Sequence, residues 1–284
     1  STATIVGALV YNQTGGAVTV RGKSVTNSRG IFEIEYNTGS SFTQTGGSLT
    51  IERPTNGTGN YADLYLNPVS SNVTSGGTIN IGIGSSASAF KLNIATNIGS
   101  LAFTASSSTY TSTLYSNPIS ILNNLTIGGN ATLATNSLDV SIAGNLSGTG
   151  TYNGSNNTTT FNGTGAQTAA LTAASQFLNM AVNKTAGTTV ALSGSAPTLN
   201  NLNILSGILD VGSLALTVNN NIINNSSQIG AGSVTLSGAA TAHSITSSGG
   251  SFTNLSLGGS AASKLVTVSG NLTINGTLDF TASG

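Results

Sequence analysis

The chain of 284 residues balances seven Lys or Arg against seven Asp or Glu, a formal net charge of zero, and only 5% of its residues are charged. That balance leaves no basic footprint for a phosphate backbone, so nucleic acid is not an expected partner, and the 38% hydrophobic share is too high for a chain held disordered by charge. No apolar run approaches the roughly eighteen residues of a bilayer-spanning helix, so no membrane insertion is expected, and the absence of cysteine excludes a disulfide framework and a thiolate metal site.

The opening stretch, STATIVGALVYNQ, has no initiator methionine, no basic segment and no long apolar run, and reads as a mature or excised N-terminus. With a body rich in Ser, Thr, Asn and Gly, it points to an exported, extracellular protein. Further on, GIFEIEY alternates Phe32, Ile34 and Tyr36 with Glu33 and Glu35, the pattern of a strand with one buried and one wet face. Two carboxylates on one strand face could serve the acid and base roles of glycoside hydrolysis. Arg21, Lys23 and Arg29 just before them supply cross-strand partners instead, so the segment is expected to form a charged edge or cap.

LYLNPVS at Leu64 returns as LYSNPIS at Leu114, and GSLTI at Gly47 returns as GSLAF at Gly99, nearly the same interval on. Tyr61, Tyr65, Tyr110 and Tyr115 sit near the Asn-Pro turns of this half. They are the candidate binding residues, since an exposed aromatic face stacks on a sugar ring or anchors a protein contact; a core position beside a turn is the competing reading. A boundary near Ser120 divides the chain into residues 1–120, a more charged and Tyr-rich β region that serves as a cap or first solenoid segment, and a repetitive region, 121–284.

In that second region Leu125, Leu202 and Leu272 hold the same place in N-L-x-I, and FLNMAV at Phe177 returns as FTNLSL at Phe252. These landmarks describe units of roughly seventy to seventy-seven residues, a length that drifts from one unit to the next. Apolar residues alternate at Leu138, Val140 and Ile142 and at Leu214, Leu216 and Val218, and the runs are broken by GG, NG, SG and TG. This is strand-and-turn patterning without helical periodicity, so the chain is expected to be almost entirely β. Asp139, Asp210 and Asp279 recur in LDV, LDV and LDF. Calcium needs six to eight oxygens from converging ligands, so an outward strand position is expected of each Asp, with calcium ligation between coils the alternative; no other metal or cofactor is expected. The single histidine, His243, has no second His to pair with on a metal and no G-x-S-x-G in the chain, and reads as a solvent-facing or turn residue. N-x-S/T frames at Asn56, Asn72, Asn124 and Asn275 are expected by chance in this composition, and glycosylation there stays open.

Two architectures fit these signals: a right-handed parallel β-solenoid, or β-helix, and a tandem of small antiparallel β-sandwiches. The short strand recurs inside each unit, as N-L-T-I, L-D-V-S-I, F-L-N-M-A-V and T-V-A-L, which favours coils that pair only with their neighbours. Stacking also accounts for the composition. Each residue would lie about 4.8 Å over its equivalent, where like charges repel while Asn and Thr form ladders. A coil of roughly twenty residues is expected.

The pattern N-N-L-T-I, L-D-V and L-T-V-N-N, with F-x-N-L-x-V-N between, resembles the repeats of giant β-helical bacterial surface adhesins, the filamentous-haemagglutinin-like exoproteins and the large adhesins of gliding bacteria exported by the type IX system. The resemblance covers residues 120–284 well and the first 120 loosely. It implies an extracellular, cell-surface stalk or fibre, without catalytic residues, that attaches to surface polysaccharide or other cell-surface components. Self-association with neighbouring repeats, as in a surface filament or layer, is the second expectation. A carbohydrate-active β-helix enzyme is the third; it would need a groove lined with several Asp, Glu, Arg or Lys. Ice or crystal binding through flat Thr ladders would require T-x-T at every coil, which this chain lacks.

Overall fold

The structure, a computed structural model, describes residues 8–21, 31–54, 62–82, 89–239, 242–258 and 265–280. Among these residues there is no helix, and short strands stack in parallel, coil on coil, into a β-solenoid. The antiparallel sandwiches are thereby ruled out. The chain forms two compact units, Ser1–Ala134 and Thr135–Gly284.

In the first unit each early coil contributes a strand to three sheets. One sheet stacks Val10–Gln13, Ser41–Gln44 and Ser70–Val73. A second stacks Ala17–Val20, Ser48–Ile51, Thr78–Ile81, Ser100–Phe103 and Leu125–Ile127. The third stacks Phe32–Ile34, Leu64–Leu66, Phe90–Ile94, Tyr110–Leu114 and Ala131–Ala134. Alternation along each strand sends one residue in two inward, and register places the inward residues in columns. Val18, Leu49, Ile79, Leu101 and Leu125 form one such column, with a longer stretch of chain between its first three members than between its last three. The first coils thus exceed the expected length, because each carries an additional sheet.

Coils of the second unit are shorter and close to that expected length. Met180, Leu202, Ile222 and Ile245 make a buried column, one residue per coil, and Leu216, Val234 and Leu255 make another. Burying each such side chain is worth about 1.5–3 kcal/mol.

The long sequence repeat and the coil repeat are different things. Leu202 lies over Met180 and under Ile222, whereas Leu272 is in register with Gly250. What recurs in the motif is a corner. In Phe177-Leu178-Asn179 and Phe252-Thr253-Asn254 the Phe is buried and the Asn binds a carbonyl one coil back, Asn179 Nδ2 donating to Asn157 O at 3.1 Å and Asn254 Nδ2 to Gly232 O at 3.0 Å. Asparagines also bind one another along the stack: Asn201 Nδ2 donates to Asn179 Oδ1 at 2.7 Å, and Asn201 Oδ1 accepts the Asn221 N–H at 3.3 Å.

Many polar groups inside the coils bond in the same way, which offsets the cost of burying them, although Gln44 Oε1, Ser112 Oγ and Asn157 Oδ1 accept no hydrogen bond. Gln44 Nε2 donates to Gln13 Oε1 at 3.0 Å, a two-rung glutamine ladder. Buried Lys184 reaches back one coil, its Nζ donating to Gly163 O at 2.9 Å, Gly165 O at 2.8 Å and Gln167 Oε1 at 2.5 Å, and burial lowers its pKa. Only glycine fits at 163, where a Cβ would stand 1.9 Å from Ala143 O.

Register makes the charge argument testable. Thr217 lies over Thr235 on the outer surface, so T217K or T235K alone should shift stability by no more than about 0.5 kcal/mol. The double variant should lose about 0.5–1 kcal/mol beyond the sum, and T217K/T235E should not. Urea unfolding measures all four. By the same method Leu202→Ala should cost about 2–5 kcal/mol.

Candidate functional site

The third sheet of the first unit carries two of the four candidate tyrosines, Tyr65 and Tyr115, among amide and charged side chains. Inward residues Ile34, Leu66 and Ile94 lock its strands onto the core. The alternate positions lie on the outer side, and register sets Glu33 beside Tyr65 and Tyr65 beside Asn93. Leu114 lies over Leu92, which brings Tyr115 over Asn93; its N–H donates to Leu92 O at 2.7 Å. Tyr65 and Tyr115 therefore share one column, two coil steps apart, with Asn93 between them and covered by its neighbours.

Side-chain bonds fix this face. Asn67 Nδ2 donates to the Tyr65 hydroxyl at 3.2 Å, and Asn117 Nδ2 donates to Asn93 Oδ1 at 2.6 Å. The exposed Lys91 places its Nζ 5.9 Å from the centroid of the Tyr115 ring, a cation–π contact worth about 0.5–1 kcal/mol at such a site. Ser116, between Tyr115 and Asn117, has φ of 70°, a left-handed conformation that non-glycine residues adopt at some cost. The corner it makes, with Asn117 N–H donating to Tyr115 O at 3.0 Å, turns the chain at the edge of the face. Tyr65 and Tyr115 are half-buried, so each ring is held by its neighbours and still reaches solvent.

Tyr110 does not belong to this face. It is a core residue, 5% exposed, packed edge-on against Phe90 with ring centroids 6.2 Å apart, and its hydroxyl donates to Thr104 O at 2.6 Å. As the first residue of its strand it falls on the inward parity, which the nearby Asn-Pro turn conceals in the sequence. Tyr61 lies outside the described residues. Sequence reasoning passed over Tyr36, which is 68% exposed at the end of the first rung of the same sheet; the G-I-F-E-I-E-Y alternation assigned it to the buried side, but the strand ends at Ile34 and the corner turns Tyr36 outward.

The remaining candidates lie apart. Asp139 Oδ1 accepts the Thr158 N–H of the next coil at 2.7 Å, and Asp210 Oδ1 accepts the Gly212 N–H at 2.8 Å, capping its own turn. Asp279 is in register with Ser256, whereas Asp210 is in register with Ile229. The three carboxylates are thus not stacked equivalents, and among the described residues no three His, Cys, Asp or Glu side chains gather into a metal-holding group. His243 is buried, contrary to the solvent-facing expectation, with Nδ1 2.8 Å from Asn220 O. Arg21 pairs with Glu52 at 3.2 Å, and Lys23 and Arg29 lie outside the described residues.

The second unit has a shallow groove of about 380 Å³ lined by small polar side chains, Ser233, Thr235, Asn254, Ser256 and Thr277 among them, with Asp279 as its one carboxylate and no aromatic side chain. It offers hydroxyls but no stacking platform. Compared with known proteins, the chain matches no family model, no curated protein and no solved structure.

Burial separates the core tyrosines chemically. It pushes Tyr110 and Tyr152 up to about 12. Unfolded, each ionises near 10.0, so the stability that their neutral forms contribute is fully present below pH 10 and is lost as pH rises through about 12. For the wholly buried Tyr152 the difference is on the order of 3 kcal/mol. Denaturation measured from pH 9 to pH 12 should therefore show falling stability, with a shallower fall in Tyr152→Phe.

Proposed function

We propose that the chain is a non-enzymatic structural and adhesive solenoid of the cell exterior, a segment of a surface stalk or fibre, and that the outer face bearing Tyr65 and Tyr115 holds polysaccharide. The observation that carries this reading is the pair of half-buried rings in one column, bracketed by Asn67, Asn93 and Asn117 on a backbone fixed by coil stacking. Rings supply an apolar platform for sugar faces, amides supply directional hydrogen bonds, and a rigid support keeps the entropic cost of binding low. The repeats and the neutral composition fit a protein whose product is length and surface rather than a reaction.

A second reading, a subunit of a self-assembling filament, is favoured by one segment. The strand Leu265–Ile274 contains no charged residue, pairs with Ala242–Phe252, and leaves Leu265 64% and Val268 49% exposed. An apolar strand edge without charge pairs readily with a further strand, of the same chain or of another molecule.

Pull-down of the protein on a panel of insoluble polysaccharides tests the first reading. Tyr65→Ala and Tyr115→Ala should each weaken retention about 3- to 10-fold, the value of one aromatic contact, while far-UV circular dichroism stays unchanged. Undiminished retention in the double variant, or no retention of the wild type on any polysaccharide, overturns it. Sedimentation that depends on concentration, abolished by Val268→Lys, would favour the filament instead.

A further inference from the structure

We infer that the tyrosine face selects an extended, equatorially linked, uncharged glycan that runs across the strands, along the coil column, with every second sugar seated on a ring. The inference rests on the polysaccharide reading above and adds the geometry of the chain that fits.

Register sets the spacing. Tyr65, Asn93 and Tyr115 occupy three consecutive coils of one column, so the ring-bearing backbones stand two coil steps apart, about 10 Å. An extended chain of equatorially linked pyranoses turns over at each linkage and presents the same face at every second sugar, and its disaccharide repeat is of that length. Such a chain laid along the column meets Tyr65, then the Asn117 amide held in place by Asn93, then Tyr115. The sugar between the rings presents its hydroxyl edge to that amide, whose Nδ2 lies 2.6 Å from Asn93 Oδ1 and has a second hydrogen to donate. An axially linked chain curls, so it would leave one ring when seated on the other.

Charge decides between neutral and acidic chains. Lys91 is the one cation on this face among the described residues, and it lies against the Tyr115 ring; Glu33 stands beside Tyr65 in register, and Glu35 follows just past the end of that strand. A uronate or sulfate chain long enough to reach both rings would place anions next to Glu33, at a like-charge cost.

Calorimetry with soluble β-1,4-linked gluco-oligosaccharides of two to six units, and α-1,4-linked chains of the same lengths, tests the proposal. For the wild type the affinity should step up at least about tenfold when the β-linked chain grows from two to four units, enough to span both rings, with no such step in the α series. Tyr65→Ala and Tyr115→Ala should each abolish the step, and Tyr65→Phe, which keeps the ring, should retain it. Binding of both series with no length step, or tighter binding of oligogalacturonate than of the β-linked chain, would overturn the geometry while leaving polysaccharide binding in place. Failure to bind any glycan, insoluble polysaccharides included, would overturn the reading on which it rests.

Discussion

Parallel in-register stacking is the constraint on which everything else in this molecule depends. Once one coil lies on another, each side chain has a neighbour of fixed identity about 4.8 Å above and below it. A charge at such a position meets the charge of the next coil at a distance where water screens little, while an amide meets a partner that can both donate and accept. The Asn179, Asn201 and Asn221 series and the Gln13 and Gln44 pair are the outcome, and so is a surface of Thr and Ser where most proteins display Lys and Glu. Where ions do meet across coils they are of opposite sign, as with Arg21 and Glu52.

The same constraint produces the candidate face. A tyrosine at the surface of an ordinary domain is placed by its own neighbours; here it is placed by the coil, so two tyrosines on one column inherit a separation that no local change alters. Lys91 and the Asn67 and Asn117 amides then limit how the rings can turn. Ser116, held at positive φ, ends the Tyr115 rung at a defined point and sets Asn117 beside it. The second unit has the same regularity, but its groove is lined by no aromatic side chain, the exposed Phe280 following the groove's Asp279.

Much of the fold was legible because period-two alternation and coil stacking are both written in residue types. Leu64–Leu66 and Ser48–Ile51 show their buried and exposed faces in the sequence as they do in space. Legibility failed where corners decide the outcome. The Leu202 and Leu272 motifs look equivalent because each Leu follows an Asn inside a long strand, yet they fall on different columns, Leu202 over Met180 and Leu272 in register with Gly250. Tyr36 was misjudged because parity is counted from a strand end that the sequence does not mark to the residue, Tyr110 took the core position that was its competing reading, and His243, read without any parity argument, is buried. Tyr65 and Tyr115 were legible because each sits one residue from an inward leucine, Leu64 or Leu66 and Leu114, which sets its parity.

Lys184 has a consequence of another kind. Hydrogen bonds between coils run along the direction of stacking, so tension in that direction would part a solenoid one coil at a time, each opening at low force. Lys184 joins its coil to the one beneath through three acceptors at once, two backbone carbonyls and the Gln167 side chain, and its stem is enclosed by the tight approach of Gly207. In a protein under load, residues 163–184 would act as a stop, the place where peeling halts until the force has risen.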